Sequence, residues 1–277
     1  MASTTQIKNV TVVGAGGRLG RLITTALLDA GFTVVALARA ESTTTALPDG
    51  VAAVRRVDFT SLEDLTGALE GQDAVVSVIG TMAVGQQRVL VEAAARAGVG
   101  RFVPSEYGLD TRAPGLRTTK LGRMLGPKIE LSLEAGLLGI DIPNRKATIV
   151  DSGDEPFSAS NREQVARAVV AVLQRPAETA NRYLMVQSLT TTQNKLLKVV
   201  GEEMGQEFQA VERVTAADTE KAADDALAGG TRLTPSGPMS ASTSLRMGRG
   251  ARSGTKRRRM SSWGYGPRIC GRVFGRY

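Results

Sequence analysis

Three glycines spaced Gly14-x-x-Gly17-x-x-Gly20, with Gly16, Arg18 and Leu19 among them, are the first residues whose types and spacing could do chemistry. They fall where a β-branched run, NVTVVGA, gives way to a helical period. Glycines are needed at such a junction when a tight turn brings backbone N–H groups and a helix N-terminus against a pyrophosphate, with no Cβ in the way. The same spacing also serves a plain strand-to-helix turn needing positive φ, so the flanking elements decide between the two readings. A strand before and an amphipathic helix after favour a dinucleotide.

The second β-branched run, FTVVALA, is followed by Arg39. An acidic residue there would bond a ribose 2′-hydroxyl, whereas a cation pairs with a 2′-phosphate, so NADP is expected over NAD. Glu41 stands close enough to neutralise the cation. Asp58, after the third run, could bond the adenine amino group or serve as the turn residue ahead of a helix. At the end of the fourth run stand Ile79 and Gly80, and the missing side chain of Gly80 would let the nicotinamide half approach the backbone; an ordinary strand-end turn is the alternative. Ser105 and Glu106 follow the fifth run, where ligands of open sheets bind, and Glu106 could equally be a structural partner for a cation.

Other chemistries are closed off by composition. The chain has no His and one Cys, Cys270, which removes His triads, His metal sites and thiolate zinc clusters. No metal site and no disulfide pair are expected. Lys, Tyr, Ser, carboxylates or a borrowed cofactor remain.

The elements that must position these residues alternate. Leu19, Leu22, Ile23, Ala26, Leu27 and Ala30 form one apolar helical face, which Gly31 stops. VAAVRRVDF predicts strand three, TSLEDLTGALEG a helix opened by a Thr60–Glu63 capping box, and DAVVSVIG strand four. QQRVLVEAAARAG and RFVPSEYG predict a further helix and strand five. Five strands in this order specify an α/β fold, a doubly wound parallel sheet of the Rossmann, NAD(P)-binding kind. Beyond it, KATIVDSG and RYLMVQS predict strands. Ser160-x-x-Glu163 predicts a cap for a helix burying Val165, Ala168, Val169, Val172 and Leu173 and ended by Pro176, and TTQNKLLKVVGEEMG predicts another helix.

Charge is unevenly spread. Of 35 Lys and Arg residues, 11 lie in the last 52 positions, where there is no Asp or Glu. Residues 1–225 thus hold 24 basic and 27 acidic groups, a net of −3, although the whole chain carries +8. A polyanionic partner cannot be inferred for the body, and nucleic-acid binding is not expected of it. No apolar run reaches the ~18 residues of a membrane span. The N-terminal MASTTQIKNVTVV has neither a secretory nor an import pattern, so the cytosol is expected.

Taken together, the glycine triplet, Arg39, RFVPSEYG (101–108), NRKATIVDSGDEPFSASNREQVARAVVAVLQRP (144–176) and NRYLMVQSLTTTQNKLL resemble the NmrA-like, isoflavone reductase-like family of atypical short-chain dehydrogenases, its fungal branch above all. The resemblance spans about residues 8–225. It implies NADPH-dependent reduction of a small aromatic or phenolic substrate, or a non-catalytic, redox-sensing relative that binds the dinucleotide and a protein partner. It also implies a catalytic Lys beyond the Pro-Ser-Glu-aromatic-Gly motif, just ahead of a helix, and Lys128 stands there; Lys120 is the lesser candidate. None of Tyr107, Tyr183, Tyr265 and Tyr277 is followed four positions later by Lys, in keeping with a Lys-only centre. Such a Lys could act as general base on a phenol or as a cation for a developing oxyanion.

Against the family pattern, the chain passes directly from LSLEAG to LLGIDIP near 136–139, where a sixth strand and a substrate-lining loop are expected. The sheet would lose a strand or borrow 137–142 as a poor substitute, and turnover would be impaired. The expected organisation is an NADP-binding domain over 1–136, a smaller substrate-side α/β region over 137–225, and a basic tail over 226–277. From about Gly229 apolar periodicity ends, which reads as an altered reading frame or splice choice; Lys256-Arg257-Arg258-Arg259 as an import or polyanion-binding patch is the competing reading. Either way the tail has too little apolar content to offset folding entropy and is expected to be disordered.

Overall fold

The computed structural model describes residues 6–42, 47–107, 140–141, 144–205, 207–208, 210–219, 221 and 225. These fall into two compact units, the first holding the N-terminal part and Arg162–Val186, the second holding the remainder of the described residues from Ile140 onward.

In the first unit, β1 (Asn9–Val13), β2 (Thr33–Arg39), β3 (Ala53–Val57), β4 (Ala74–Ser77) and β5 (Arg101–Val103) form a five-stranded sheet in the order β3-β2-β1-β4-β5. Every pairing is parallel, and β1 lies in register with β2 from Asn9↔Thr33 to Val13↔Leu37. The order reverses between β1 and β4, so the carboxyl ends of those two strands flank the crevice where open α/β sheets hold ligands.

Helices cover both faces. α1 (Arg18–Asp29) buries Leu19, Ile23 and Leu27, each worth ~2 kcal/mol of apolar transfer. It ends in a Schellman arrangement: Gly31, at φ +84, donates to Leu28 O and Phe32 donates to Leu27 O, at 3.0 Å each. Beside α1 packs α4 (Arg162–Gln174), and together with Val10, Val12, Val34 and Val76 they form one core. The buried residues of α4 are Ala166, Val169 and Leu173. The expected stripe is thus rotated, with Ala168 and Val172 only half-buried, because the contact with α1 selects one edge of a helix that is apolar over a wide arc. On the other face, α2 (Leu62–Leu69) and α3 (Gln87–Arg96) close a second core around Leu37, Leu65, Leu69, Val75 and Leu90. A short 3-10 helix (Thr81–Gln86) leads into α3.

The cap of α2 differs from expectation. Ser61 Oγ, not Thr60, accepts the first-turn N–H, from Asp64 at 3.2 Å. Thr60 is diverted because both its N–H and its hydroxyl donate to Asp58 Oδ1, at 2.8 and 2.7 Å.

After α4, Pro176 opens a four-residue helix, α5 (Pro176–Thr179), in the position where its missing N–H has no intrahelical partner to lose. Arg101 fastens this turn to β5 by donating to the carbonyls of Pro176 and Thr179. Residues 182–188, expected as a strand, carry no helix or strand, and Tyr183, Leu184, Met185 and Val186 are exposed. Strand propensity reports fit to a ladder and a half-buried face, and no strand pairing among the described residues includes this run.

In the second unit, β6 (Ile140–Asp141) runs antiparallel to β7 (Lys146–Val150), which pairs in parallel with β10 (Ala210–Val214). Residues 140–141 therefore belong to this small sheet and do not substitute for a strand of the five-stranded one. β8 (Phe157–Ala159) pairs with β9 (Leu189–Thr191). α6 (Gln193–Met204) is capped by Thr192, which accepts from Lys195 N–H at 3.2 Å, and buries Leu196 and Val200 with Ile140. The segment Arg162–Val186 groups with the first unit although it falls within 137–225. The boundary at 136, the junction at 136–139 and the tail lie outside the described residues.

Two stability predictions follow from the first unit. Asp73 Oδ2 accepts the N–H groups of Lys8 and Asn9, both at 2.8 Å, at the start of β1. Asp73→Ala strips both donors of their partner and is expected to cost about 1–3 kcal/mol, read by chemical denaturation. Tyr107 packs on the α1–α4 core, and its hydroxyl is buried with no hydrogen-bond partner among the described residues. Burial pushes its phenol well above the usual range. A folded pKa raised above the unfolded value of about 10 gives stability that is intact below that pH and lost as pH rises past it. Tyr107→Phe is expected to be neutral or stabilising at pH 8 and to resist denaturation at pH 11 better than the parent; equal alkaline sensitivity would contradict this.

Candidate functional site

The strand–turn–helix at the switch point is fitted without room for side chains. Gly14 has φ +87, and a Cβ there would stand 2.5 Å from the Val78 carbonyl oxygen. At Gly20 a Cβ would come within 2.0 Å of Gly14 O, so α1 is seated directly on the turn. Gly17 is less constrained: its φ is −71, and an added Cβ would lie 3.3 Å from Gly14 O, a close contact that a small shift of the turn relieves. Gly16 sits half-buried in the turn between them, and Arg18 opens α1 at its exposed end. Leu19, expected both on the apolar face of the helix and among the cofactor-binding residues, is 6% exposed and packs in the core, so only its backbone can face a ligand.

α1 starts without a side-chain cap, and its first turn holds no acidic residue. Its leading N–H groups need acceptors, and together with the helix dipole they favour an anion at this end. A pyrophosphate fits a turn built this way.

Arg39 closes β2 on the side of β1 away from β4. Its Nε lies 3.5 Å from Glu41 Oε1 with both side chains exposed. Such a surface pair is worth about 0–1 kcal/mol, so the guanidinium can be recruited by a phosphate at little cost. Asp58 is also exposed, and the two hydrogen bonds from Thr60 hold its carboxyl below the ordinary range. Its Oδ1 is thereby used in the turn, which leaves Oδ2 toward solvent or a ligand.

On the opposite side, the ends of β4 and β5 form a connected rim. Val78 N–H donates to Val13 O at 2.8 Å, joining β4 to β1 just before the glycine turn. Ser105 is fully buried: its hydroxyl donates to Ile79 O at 3.1 Å, and its N–H donates to Gln87 Oε1 at 2.7 Å. Ser105 therefore ties the rim together, and its hydroxyl is engaged with the protein. Gln87, at the start of α3, was not singled out from sequence, because a Gln at a helix start carries no motif. Glu106 turns one carboxylate oxygen out of water. Gly80 is exposed, and a Cβ there would meet nothing within 4 Å, so the protein's own packing places no demand for glycine at this position. Lys128 and Lys120 lie outside the described residues.

The structure thus brings the glycine turn, the uncapped end of α1, Arg39, Asp58, Ile79, Gly80 and Ser105 to the carboxyl edge of one sheet. No helix among the described residues is long and apolar enough to cross a membrane.

Comparison with known proteins agrees with this architecture. The NmrA-like family pattern matches residues 6–122. An Aspergillus flavus protein named oxidoreductase aprR is 36% identical over 230 residues, covering 72% of this chain and 76% of its own. Among solved structures, AtPrR2 with NADP+ and (+)-pinoresinol superposes with a TM-score of 0.65 at 23% identity, over 80% of this chain and 83% of that one. The binary complex of leucoanthocyanidin reductase with NADPH from Vitis vinifera gives a TM-score of 0.63 at 21% identity, over 85% of each chain. The parallel sheet with its glycine turn is a Rossmann fold, and the chain belongs to the NmrA-like family.

Proposed function

We propose that this protein is an NADPH-dependent oxidoreductase acting on a small aromatic or phenolic substrate. The observation that carries the reading is the uncapped N-terminus of α1, seated by Gly20 on the Gly14 turn at the switch point of the sheet. The relative named an oxidoreductase and the neighbouring folds that hold NADP+ or NADPH support it, and the one solved with pinoresinol supports the aromatic class.

In this reading the turn from Gly14 to Gly20 holds the pyrophosphate, and Arg39 leaves Glu41 to pair with the 2′-phosphate. Asp58 faces the adenine side, and the rim of Ile79, Gly80 and Ser105 borders the nicotinamide side. Bound there, the nicotinamide supplies a hydride. Lys128 is the residue proposed to take the phenolic proton or to stand opposite a developing oxyanion. The described part of the first unit serves as the dinucleotide half, and the second unit as the substrate side. A single cysteine suits a reducing compartment, and the proposed location is the cytosol.

A ligand that binds only the folded state raises the melting midpoint by mass action. NADPH is expected to raise it more than NADH at equal concentration, and Arg39→Ala to reduce that preference about tenfold in Kd, a change of about 1.4 kcal/mol. A larger shift with NADH would overturn the cofactor assignment. Gly17→Ala is expected to weaken NADPH binding at least tenfold while leaving the unliganded melt near that of the parent, whereas Gly20→Ala should lower both, since its Cβ cannot coexist with Gly14 O. Turnover of a phenolic substrate by the parent and its loss in Lys128→Ala would test the catalytic assignment.

A further inference from the structure

We propose that Gln87 is a positioning residue of the dinucleotide site, setting the slot for the nicotinamide half; this rests on the reading just given. The sheet order places the two ends of a dinucleotide on opposite sides of the glycine turn. With Arg39 on the β2 side holding the adenosine end, the far end must lie over β4 and β5.

The backbone that borders this far end comes from two loops, Val78–Gly80 after β4 and Pro104–Glu106 after β5. Neither is paired to the other as strand, since the β4–β5 ladder stops at Val76↔Val103. Their separation is fixed instead by side chains. Ser105 hydroxyl reaches Ile79 O at 3.1 Å, and Gln87 Oε1 takes Ser105 N–H at 2.7 Å. Because the donor is a backbone N–H, the amide oxygen of Gln87 must face it, which fixes the orientation of the side chain.

Gln87 is also well placed to transmit position. It is the first residue of α3, whose Leu90, Ala93 and Ala94 are buried against the sheet. The 3-10 helix Thr81–Gln86 connects it directly to the β4 loop, where Ala83 N–H donates to Gly80 O at 2.9 Å. The Gln87 side chain thus anchors the β5 loop, the Ser105 hydroxyl and the 3-10 helix tie that loop and α3 to the β4 loop, and through Val78 the chain of contacts continues to Gly14. Losing the Gln87 oxygen leaves Ser105 N–H without its acceptor and frees the β5 loop, while the glycine turn and Arg39 are untouched.

The test separates the two halves of the ligand. Full-length parent, Gln87→Met, Gln87→Glu and Ser105→Ala are titrated with NADPH and with adenosine 2′,5′-bisphosphate, which carries the adenosine end alone. The expected result is that Gln87→Met weakens NADPH at least tenfold and leaves adenosine 2′,5′-bisphosphate within twofold. Gln87→Glu should recover most of the loss, since its carboxylate accepts the same N–H and a negative charge is tolerated at a helix start. If Gln87→Met weakens both probes alike, or neither, the positioning role is overturned. Should Gln87→Met fail to fold, Gln87→Asn, whose shorter side chain withdraws the amide oxygen from Ser105 N–H, carries the same comparison with the same expected split, while Ser105→Ala tests the hydroxyl bond to Ile79. A parent that binds neither probe overturns the dinucleotide reading itself, and the positioning role with it.

Discussion

The contact of Gly20 with the Gly14 carbonyl is the constraint from which the site is built. A Cβ at position 20 would sit 2.0 Å from that oxygen, so α1 can rest on the turn only if position 20 lacks a side chain, while the Val78 carbonyl and a φ of +87 demand glycine at position 14. Seating α1 there fixes where its first N–H groups emerge, and the absence of a side-chain cap leaves them facing the crevice. The same seating lets Leu19, Ile23 and Leu27 reach the sheet and α4. Core packing and ligand geometry thus share one origin.

The two sides of the crevice are held by different physics. On the β2 side, Arg39 and Glu41 are exposed and lightly coupled, which suits a group that must exchange a protein partner for a phosphate. On the β4–β5 side, the links are buried or partly buried and directional: Ser105 hydroxyl to Ile79 O, Ser105 N–H to Gln87 Oε1, Val78 N–H to Val13 O. Hydrogen bonds out of water are costly to leave unmade, so this rim holds its shape. An adaptable end for charge and a fixed end for orientation is a division of labour consistent with placing a nicotinamide face.

The second unit relies on local wiring more than on a large core. Ile140, Leu196 and Val200 form its buried cluster, while Gln193 spans β7 by accepting from Val150 N–H at 2.9 Å and donating to Thr148 O at 3.2 Å. Asn194 adds bonds to Ser152 O and Asp154 Oδ1 at 3.0 and 2.9 Å. A run such as 182–186, rich in strand formers, stays irregular in the first unit because strand formers need a ladder as well as propensity.

By itself the sequence determined the alternation of β1 to β5 with α1 to α3, because period-2 and period-3.6 patterns are local properties of neighbouring residues. It also determined the glycine turn and the place of Arg39, since both depend on residue type at a strand end. Tertiary structure alone decided the rest. Val169 and Leu173 were legible as buried positions of α4, but that Ala166 joins them while Val165, Ala168 and Val172 stay half-buried depends on which neighbour the helix meets. That Ser61 caps α2 in place of Thr60 depends on Asp58 having taken Thr60 first. That Ile140–Asp141 joins β7 is a matter of pairing between distant segments, invisible to any window of sequence. Gln87 gave no signal for the same reason: its role exists only once β5 has been laid beside β4 and Ser105 brought within reach of its amide oxygen.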